Sequence, residues 1–532
     1  MREVLTGLAK RRLVDVAAAR CAEEPVLVLN GPRTVGKSTL LGELAERLGR
    51  AVVDCDDPAT RSAVRADPGR FVESSEPVLI DEYQHVPELL DAIKAQLNRD
   101  LRPGRYILAG STRYAAIPAA AQALTGRVDI IPVLPLTQGE IDGAPETFVA
   151  WLIDDGGTDT PLKQSRTTRD EYARRSTSGG MPVALRRPPG RSRSRWFANY
   201  VDLVIDKDVM DISRVRQREM LPRLLAQLAS RSGQVLNIAA TSGAIGLDRS
   251  TAENYVKLLE AVFLIYRLPA WGTTLSSRIV KHPKVHLVDS GVMAWLLNLT
   301  PQKIAQAAPA TLTEYGHLLE TFAVGEILKQ VSWSDAPVNA GYFRTEAGDE
   351  VDLVLERDDG QVIAFEVKAG SRVSAEDLRG LRQLRERLGS RLQEAIVLYT
   401  GEHAYTSDGW VRFLPLDRLW MLPFYRSGKP SPGHANGIQD CWRRVLRSLA
   451  TRPAPDTVHS VSPMTRDRSI VGSPYPLLET GCRINPAWVM APELIWRTSA
   501  PDPSGDGTML AGSVAPPPAP GVLGTGGRLA TP

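Results

Sequence analysis

The sequence is poor in cysteine, nearly balanced in charge and free of long apolar runs. Its 532 residues include four cysteines, Cys21, Cys55, Cys441 and Cys482, which are too few and too scattered for a disulfide framework or a paired metal knuckle. The 64 basic and 61 acidic side chains give a formal charge of +3 at pH 7. Overall charge therefore offers no argument for nucleic acid, and any such contact must come from a local feature.

No apolar run approaches the ~20 residues that a membrane-spanning helix needs, so no membrane partner is expected. Residues 1–20 include Arg2, Lys10, Arg11 and Arg12 without a long apolar core behind them, which is typical of an amphipathic helix rather than a secretory signal. With 43% hydrophobic and 23% charged residues, the composition excludes a collagen-like, coiled-coil or wholly disordered chain. We expect a cytoplasmic protein of three or four domains.

Strand-like and helical patterns alternate between Pro25 and about Ile141. Five apolar runs are strand-sized, and they cover residues 26–29, 51–53, 77–80, 106–109 and 130–133. Such alternation predicts an α/β fold in which helices cover both faces of a parallel sheet. This first domain is expected to span residues 1–145.

Three further regions follow along the chain. Residues 146–280 combine a basic linker with helical patterns, in which Leu221, Leu224, Leu225 and Leu228 stand three and four apart. Residues 281–425 again mix strand-like runs with helical patterns, which predicts a smaller α/β domain. In residues 426–532, proline and glycine make up 26% of the chain, against 13% before it, so this tail is expected to be disordered or loosely attached.

The segment from Gly31 to Ser38 fits the phosphate-binding pattern G-x-x-x-x-G-K-[ST] and stands between a strand-like run and a helical one. Its glycines let backbone N–H groups converge on phosphate oxygens, and the helix N-terminus adds positive potential. Lys37 is placed to reach the outer phosphates, and the Ser38 hydroxyl to bind Mg²⁺. The predicted nucleotide-binding residues are Gly31, Pro32, Arg33, Thr34, Val35, Gly36, Lys37, Ser38 and Thr39.

Residues at three later positions are candidate partners of this loop. Asp81 and Glu82 follow the run 77–80, where the first carboxylate would complete the Mg²⁺ shell and the second would polarise the attacking water. Ser111 follows the run 106–109, as a γ-phosphate sensor or as a helix cap. Arg127 precedes the next strand-like run, as an arginine finger acting in cis or from a neighbouring subunit, or as a surface ion-pair partner.

These motifs resemble the AAA-superfamily P-loop ATPases of bacteria and archaea that carry a C-terminal domain of unknown function. The likeness lies in GPRTVGKST, VLIDE, ILAGST and LTGRVDIIPVLPLTQGEI, and it continues in the turn Gly179-Gly180-Met181-Pro182, in the run KVHLVDSG at 284–291 and in residues 316–326. It extends over residues 1–423. It implies ATP and Mg²⁺ as ligands and ATP hydrolysis as the activity, and it makes a homo-oligomer a candidate assembly, although no residue indicates one.

Residues 237–266 resemble the winged-helix element of that family. Asn237 is placed to cap one helix, Gly246 to end it, and residues 250–253 have capping-box spacing for the next. A strand-like run at 262–266 would form the wing. The second helix could contact DNA through its outward side chains Arg249, Asn254 and Lys257. Because Asp248 and Glu253 oppose their charge, a lid or packing role is the alternative.

The stretch 163–195 is the better candidate for phosphate contacts, since it holds ten basic and two acidic residues. A charge run of this kind is also typical of a solvated, mobile loop, and Pro188, Pro189 and Gly190 favour that alternative.

Four charged residues in the third region form a candidate second site. Asp352 and Glu366 lie 14 residues apart, enough for a strand, a turn and a return strand, and Glu366 and Lys368 share a face because strand side chains alternate. With Glu320 from a helical pattern upstream, such carboxylates and a lysine can bind a divalent metal and position water for phosphodiester attack. The set resembles that of the restriction-endonuclease-like fold, either active or kept for packing or partner binding.

The sequence therefore predicts an ATP-binding and ATP-hydrolysing protein whose nucleotide state controls a winged-helix and nuclease-like C-terminal region. Two alternatives stay open. One is an ATP-gated, metal-dependent DNA nuclease, and the other is a non-catalytic nucleotide switch or DNA-binding regulator. ATP is the expected partner in each, and DNA is a candidate partner.

Overall fold

The N-terminal part of the chain folds around a five-stranded parallel sheet. The structure, a computed structural model, describes residues 4–113, 124–144, 146–154, 164–213, 215–272, 282–334 and 336–421. The strands of this first sheet are β1 (Val26–Asn30), β2 (Val52–Asp54), β3 (Val78–Asp81), β4 (Tyr106–Gly110) and β5 (Val128–Pro132). Their order is β2-β3-β4-β1-β5, and every neighbouring pair is parallel, which confirms the predicted parallel sheet.

Helices cover both faces of the first sheet, because successive side chains of a strand point to opposite faces. Leu27 and Leu29 of β1 pack in one core with the helices Leu13–Cys21 and Lys37–Leu48. Val26 and Val28 pack in a second core on the other face. The elements around that second core are Pro58–Ala66, Pro68–Val72, Glu88–Leu97 and a 3₁₀ turn at Tyr83–His85.

A helical region follows, and it corrects the expectation of a loop over 163–195. The basic stretch folds largely into helices, and five of its arginines make ion pairs or hydrogen bonds to backbone carbonyls: Arg174, Arg175, Arg186, Arg187 and Arg193. The helices here are Gln138–Asp142, Phe148–Asp154, Arg169–Ser178, Pro182–Leu185, Arg191–Leu203, Met210–Ile212 and Met220–Ser230, with a π-helical turn at Val204–Val209. Lys163 lies outside the described residues.

Two short helices and a small sheet stand where the helix-turn-helix was predicted. The helices are Ile238–Ile245 and Arg249–Ala261, and the strands β6 (Gln234–Val235), β7 (Ile265–Leu268) and β8 (Lys284–Leu287) form an antiparallel sheet in the order β6-β8-β7. Asn237 caps the first helix, and Gly246 ends it with φ 71°. The second helix begins earlier than predicted, because Asp248 rather than Ser250 accepts the cap hydrogen bond, from Thr251 N–H at 3.0 Å.

The C-terminal part of the described chain is built on a six-stranded mixed sheet. Its strands are β9 (Val338–Arg344), β10 (Glu350–Arg357), β11 (Val362–Lys368), β12 (Leu392–Tyr399), β13 (Tyr405–Ser407) and β14 (Val411–Pro415), in the order β13-β14-β12-β11-β10-β9. The helices are Ser290–Leu296, Pro301–Ala305, Pro309–Ser332 and Arg379–Leu388, with 3₁₀ turns at Glu376–Leu378, Gly389–Arg391 and Leu416–Leu419. Helix Pro309–Ser332 packs against one face of this sheet, and Arg379–Leu388 packs against the other.

Segments that carry the family resemblance pack against one another around Leu136. Leu136 N–H donates to Gly180 O at 2.8 Å, and Gly180 N–H donates to Asp289 Oδ2 at 2.7 Å. Gln138 N–H donates to Glu326 Oε2 at 2.8 Å on the helix Pro309–Ser332. A Cβ at Gly180 would lie 2.2 Å from Leu136 O, so this close approach requires glycine. These buried bonds connect the segment after the first sheet to the helical region and to the helix Pro309–Ser332.

The predicted tail, residues 426–532, lies outside the described residues. Within the described ranges, no helix has both the length and the apolar character needed to cross a membrane.

Candidate nucleotide site and carboxylate cluster

The predicted phosphate loop connects β1 to the helix Lys37–Leu48 at the carboxyl edge of the first sheet, where ligands of such sheets bind. Gly31 lies so close to β5's exit that a Cβ there would stand 2.0 Å from Val133 O. Gly36 opens the helix with φ 95°, and Thr34 also has a positive φ of 63°. Thr34, Ser38 and Thr39 are exposed, so this side of the loop is open to a ligand.

Lys37 is buried inside the loop that it is predicted to serve. Its Nζ donates to Pro32 O at 2.7 Å and to Gly31 O at 3.1 Å. Burial lowers the pKa of Lys37 to about 8, against the opposing effect of the Glu82 and Asp81 carboxylates. Among the described residues, only backbone carbonyls accept hydrogen bonds from Lys37, so an arriving phosphate would offer the ammonium its first direct anionic partner.

Ser38 and Asp81, the two predicted Mg²⁺ ligands, lie near each other. The Asp81 carboxylate is buried, and burial raises its pKa, whereas the nearby Ser38 side chain acts in the opposite direction. A hydroxyl and a carboxylate oxygen beside a phosphate loop are the ligand types that Mg²⁺ takes from proteins. The residues present therefore fit a Mg²⁺ ion bound together with a nucleotide.

Glu82 stands next to this pair in a left-handed backbone conformation, with φ 48° and ψ 42°. Its Oε2 accepts hydrogen bonds from Gln84 Nε2 and, at 3.3 Å, from Ser111 Oγ. Gln84 Nε2 also donates to Ser111 Oγ at 3.1 Å. The structure thus brings Ser111 from the end of β4 to Glu82 at the end of β3. Gln84 was not among the predicted site residues. The sequence feature that could have identified it is its position two residues after the Asp-Glu pair.

Two residues outside the loop, Asp208 and Arg11, hold it in place. Arg33 Nε lies 2.6 Å from both carboxylate oxygens of Asp208, a buried residue of the π-helical turn Val204–Val209. Arg11, also buried, donates to Val35 O at 3.2 Å and lies 3.3 Å from Glu140 Oε1. Asp208 and Arg11 were not predicted, because sequence spacing gives no sign of pairings across 24 to 175 residues.

Arg127 is not brought to the loop within this chain. It precedes β5, and β5 runs parallel to β1, so Arg127 lies at the amino edge of the sheet while the loop leaves the carboxyl edge. Five strand residues separate those edges by about 16 Å. The Arg127 guanidinium instead donates to Asn98 Oδ1 at 2.7 Å. A finger role for Arg127 would therefore require a second copy of the chain.

The predicted second set does assemble, but around a lysine. Lys284 Nζ from β8 lies 2.7 Å from Glu320 Oε1, 2.5 Å from Glu350 Oε1 and 3.1 Å from Asp352 Oδ1. Asp352 Oδ2 accepts Val367 N–H at 2.9 Å, and Lys368 Nζ lies 2.8 Å from Glu366 Oε1. We refer to these six side chains as the carboxylate cluster, and they are Lys284, Glu320, Glu350, Asp352, Glu366 and Lys368.

The charges of the carboxylate cluster shift one another strongly. Burial alone would lower the pKa of Lys284, but Glu320, Asp352 and Glu350 raise it well above its ordinary value. Burial, reinforced by Asp352, raises the pKa of Glu320 to about 8 and that of Glu366 well above its usual range. Asp352 moves the other way despite its burial, because Lys284 and the Val367 N–H lower its pKa. Lys284 and Glu350 were missed by sequence reasoning, although Glu350 shares a strand face with Asp352 at a spacing of two.

Both DNA-contact candidates keep exposed basic side chains, but some of their basic residues pair with acids or are buried. Arg249, Asn254 and Lys257 are exposed, as predicted, but Lys257 lies 3.7 Å from Glu253. In the basic stretch, Arg174 pairs with Asp170, and Arg175 pairs with Asp142 at 2.9 Å. Arg193 is buried against Ser178 Oγ and the carbonyls of two neighbouring residues. These pairings leave fewer arginines for phosphate than the sequence suggested.

Comparisons with known proteins match the chain in three stretches. Residues 23–142 match a family model described as an AAA domain. Residues 169–303 and 315–419 match two domains of unknown function, DUF8612 and DUF4143 respectively. The first match supports an AAA-type P-loop ATPase domain, whereas the other two carry no assigned activity.

Two mycobacterial proteins are similar to this chain over most of its length. The chain is 24% identical over 397 residues to an uncharacterized protein of Mycobacterium bovis and to one of Mycobacterium tuberculosis, covering 74% of this chain and 81% of each relative. Among solved structures, the RuvB Holliday junction branch migration motor of Thermotoga maritima is 17% identical, with a TM-score of 0.25 over 49% of this chain and 90% of that one. A RuvB point mutant is 15% identical with a TM-score of 0.22, over 48% and 87% of the two chains. Likeness at these TM-scores carries no argument about this chain.

Proposed function

We propose that the chain binds Mg²⁺-ATP at the loop Gly31–Thr39 and hydrolyses it. The observation that carries this proposal is that the loop follows β1 at the same carboxyl edge of the parallel sheet where β3 ends in Asp81, directly before Glu82. The match of residues 23–142 to an AAA domain supports the same assignment.

Each residue of the site has a distinct task in this proposal. The N–H groups of the loop and of the helix Lys37–Leu48 bind phosphate oxygens, and Lys37 exchanges its two carbonyl partners for the outer phosphates. Bound Mg²⁺ would neutralise charge on the phosphates beside Ser38 and Asp81. Glu82 accepts a proton from the attacking water, while Gln84 and Ser111 hold its carboxylate.

We further propose that the nucleotide state acts on the helical and winged-helix-like regions. Two contacts support this step. Arg33 of the loop pairs with Asp208 of the helical region. Arg113, two residues after Ser111, donates from its backbone N–H to Ala261 O at 3.0 Å and from Nε to Glu260 O at 2.7 Å, both at the end of helix Arg249–Ala261. The site is thus joined to the next two regions by direct bonds.

An ATPase assay on three variants of the full chain tests the proposal. We expect Glu82→Gln to lose at least about 100-fold in turnover while it still binds ATP, because it keeps the loop but lacks the base. Lys37→Ala should lose binding as well as turnover. Glu88→Gln, a change at an exposed glutamate six residues after Glu82, is the control and should match the wild type. Normal hydrolysis by Lys37→Ala would disprove the proposal.

The same assay with duplex DNA added tests the proposed DNA-binding role of helix Arg249–Ala261. Its exposed Arg249 stands at the start of a helix preceded by a turn, as in DNA-reading helices. Stimulation of turnover that Arg249→Ala removes would assign DNA to this helix. If DNA changes nothing in either protein, the helix has a packing role instead.

A further inference from the structure

The carboxylate cluster contains its own cation. Lys284 is fully buried, and its ammonium contacts three carboxylates from two different elements, the helix Pro309–Ser332 and strand β10. Lys284 itself belongs to β8, in the small antiparallel sheet, so the cation and its carboxylates come from separate parts of the fold. The sequence predicted a divalent metal among Glu320, Asp352, Glu366 and Lys368.

An ammonium group has three N–H donors, and Lys284 has three carboxylate partners at 2.5 to 3.1 Å. A divalent cation would bind those same oxygens at about 2.0 to 2.6 Å, and it would occupy the space that Nζ now fills. The surroundings leave little room for both. A Cβ at Gly233 would lie 2.7 Å from Glu320 Oε2, and the Tyr342 ring stands 5.7 Å from Lys284 Nζ.

A second observation is that the carboxylate cluster has more acidic than basic groups and therefore favours a bound cation. Glu366 is buried, and its Oε2 has no hydrogen-bond partner among the described residues. Its other oxygen, Oε1, forms an ion pair with Lys368. In total the cluster contains four carboxylates and two ammonium groups. That excess of acid is what a metal site requires, yet among the described residues no group of three metal-binding side chains is open to an ion.

We propose that Lys284 takes the place of a divalent cation in the carboxylate cluster, so that the C-terminal domain holds an internal cation instead of a metal. The predicted metal does not fit while Lys284 is present. The ammonium fastens β8 to the helix Pro309–Ser332 and to β10, and the domain does not cleave DNA through this set. Removal of the ammonium leaves three carboxylates around an empty space, which is a divalent-cation site.

Manganese binding to the full chain without nucleotide tests this proposal. Electron paramagnetic resonance counts the Mn²⁺ ions bound by wild type, Lys284→Met and the double variant Lys284→Met/Asp352→Asn. We expect Lys284→Met to gain one Mn²⁺ per chain relative to wild type and the double variant to bind that ion at least about tenfold more weakly. Lys257→Met, at an exposed lysine paired with Glu253, is the control and should bind as the wild type does.

A second measurement covers the outcome in which Lys284→Met does not fold. Wild type and Asp352→Asn are then compared for Mn²⁺ count and for cleavage of labelled DNA with Mn²⁺. The proposal requires that Asp352→Asn lose no bound ion and that neither protein cut DNA. An ion or a cleavage activity that wild type has and Asp352→Asn lacks would overturn it, as would a Lys284→Met protein that folds and gains no Mn²⁺.

Discussion

Gln84 fixes the orientation of the predicted catalytic base. Its amide Nε2 is shared between Glu82 Oε2 and Ser111 Oγ, so one side chain joins the ends of β3 and β4. Gly110 makes room for it, since a Cβ there would lie 2.7 Å from Gln84 Oε1. Gln84 is therefore a positioning residue rather than a catalytic one, because it acts through Glu82.

Replacing Gln84 with leucine should lower kcat more than it changes KM for ATP. The variant removes a hydrogen bond to a carboxylate, a loss of about 1.5 to 3 kcal/mol, or roughly 10- to 100-fold, while the loop and Lys37 stay in place. Steady-state ATPase kinetics of Gln84→Leu and Gln84→Asn check this, with Gln306→Leu, at an exposed glutamine, as control. Gln84→Asn keeps an amide and should be more active than Gln84→Leu. If Gln84 had only a structural role, Gln84→Leu would lower the melting temperature without lowering kcat more than it changes KM, and Gln84→Asn would be no more active than Gln84→Leu.

Which residues could be predicted follows from how far apart in sequence their partners lie. The loop residues and the Asp81-Glu82 pair are local patterns at strand ends, so spacing alone finds them and the parallel sheet brings them together. Asp208 lies 175 residues from Arg33, and Lys284 lies 68 residues from Asp352. Such pairs depend on the packing of separate elements, which the local pattern of a single sequence does not contain. Gln84 is intermediate, since it is local but matches no general motif.

At the scale of elements, the sequence predicted most strands within two residues and was wrong about the basic stretch. β1 and β4 stand out in the sequence as continuous apolar runs, because both strands are buried on both faces. The residues 163–195 looked like a loop because their charge and prolines hide the fact that Arg175 and Arg193 are buried partners. Helix Arg191–Leu203 begins directly after Pro188, Pro189 and Gly190, which break the chain between helices rather than prevent them.

Glu146 makes the stability of the contact between its own segment and the helix Gln138–Asp142 depend on pH. Thr137 Oγ1 donates to its Oε2 at 2.5 Å, and Gly139 N–H donates to its Oε1 at 2.8 Å. Burial, with the nearby Glu326 and Glu140 charges, raises the pKa of Glu146 from 4.5 to about 8. Lys329 and Arg11 face those two neighbouring acids. The folded protein thus holds this proton more tightly than the unfolded chain, and stability from this group falls as pH rises from about 4.5 to about 8.

Glu146→Gln should therefore be favoured over wild type as pH rises. The amide does not titrate, so the difference in free energy of unfolding should grow in favour of the variant, by at most about 1.4 kcal/mol per pH unit, between pH 5 and 8. Denaturant unfolding at several pH values measures this difference. Glu386→Gln, at an exposed helical glutamate, should show no such trend. A difference between Glu146→Gln and wild type that is constant with pH would contradict the assignment.

At the scale of the whole molecule, the ion pair between Arg33 and Asp208 connects the phosphate loop to the helical region. Asp208 lies in the turn Val204–Val209, whose π-helical hydrogen bonds interrupt a longer helix, a feature that is frequent at functional sites. Asp208 is buried, whereas Asp206 in the same turn is exposed and pairs with Arg218. The same turn therefore contains Asp208, the carboxylate that pairs with the loop, and Asp206, a carboxylate that does not and can serve as the control.

Binding of ATP should change the hydrogen exchange of residues 204–213 in wild type and in Asp206→Asn, but not in Asp208→Asn. A phosphate in the loop offers Arg33 a second anion, so the pair with Asp208 is weakened or moved, and the turn responds. Because such coupling is reciprocal, Asp208→Asn should also alter ATP affinity, whereas Asp206→Asn should not. Exchange mass spectrometry with a non-hydrolysable ATP analogue, together with calorimetry, measures both effects. An equal exchange response in Asp208→Asn would show that the loop reaches the helical region by another route, of which the Arg113 contacts with helix Arg249–Ala261 are the next to test.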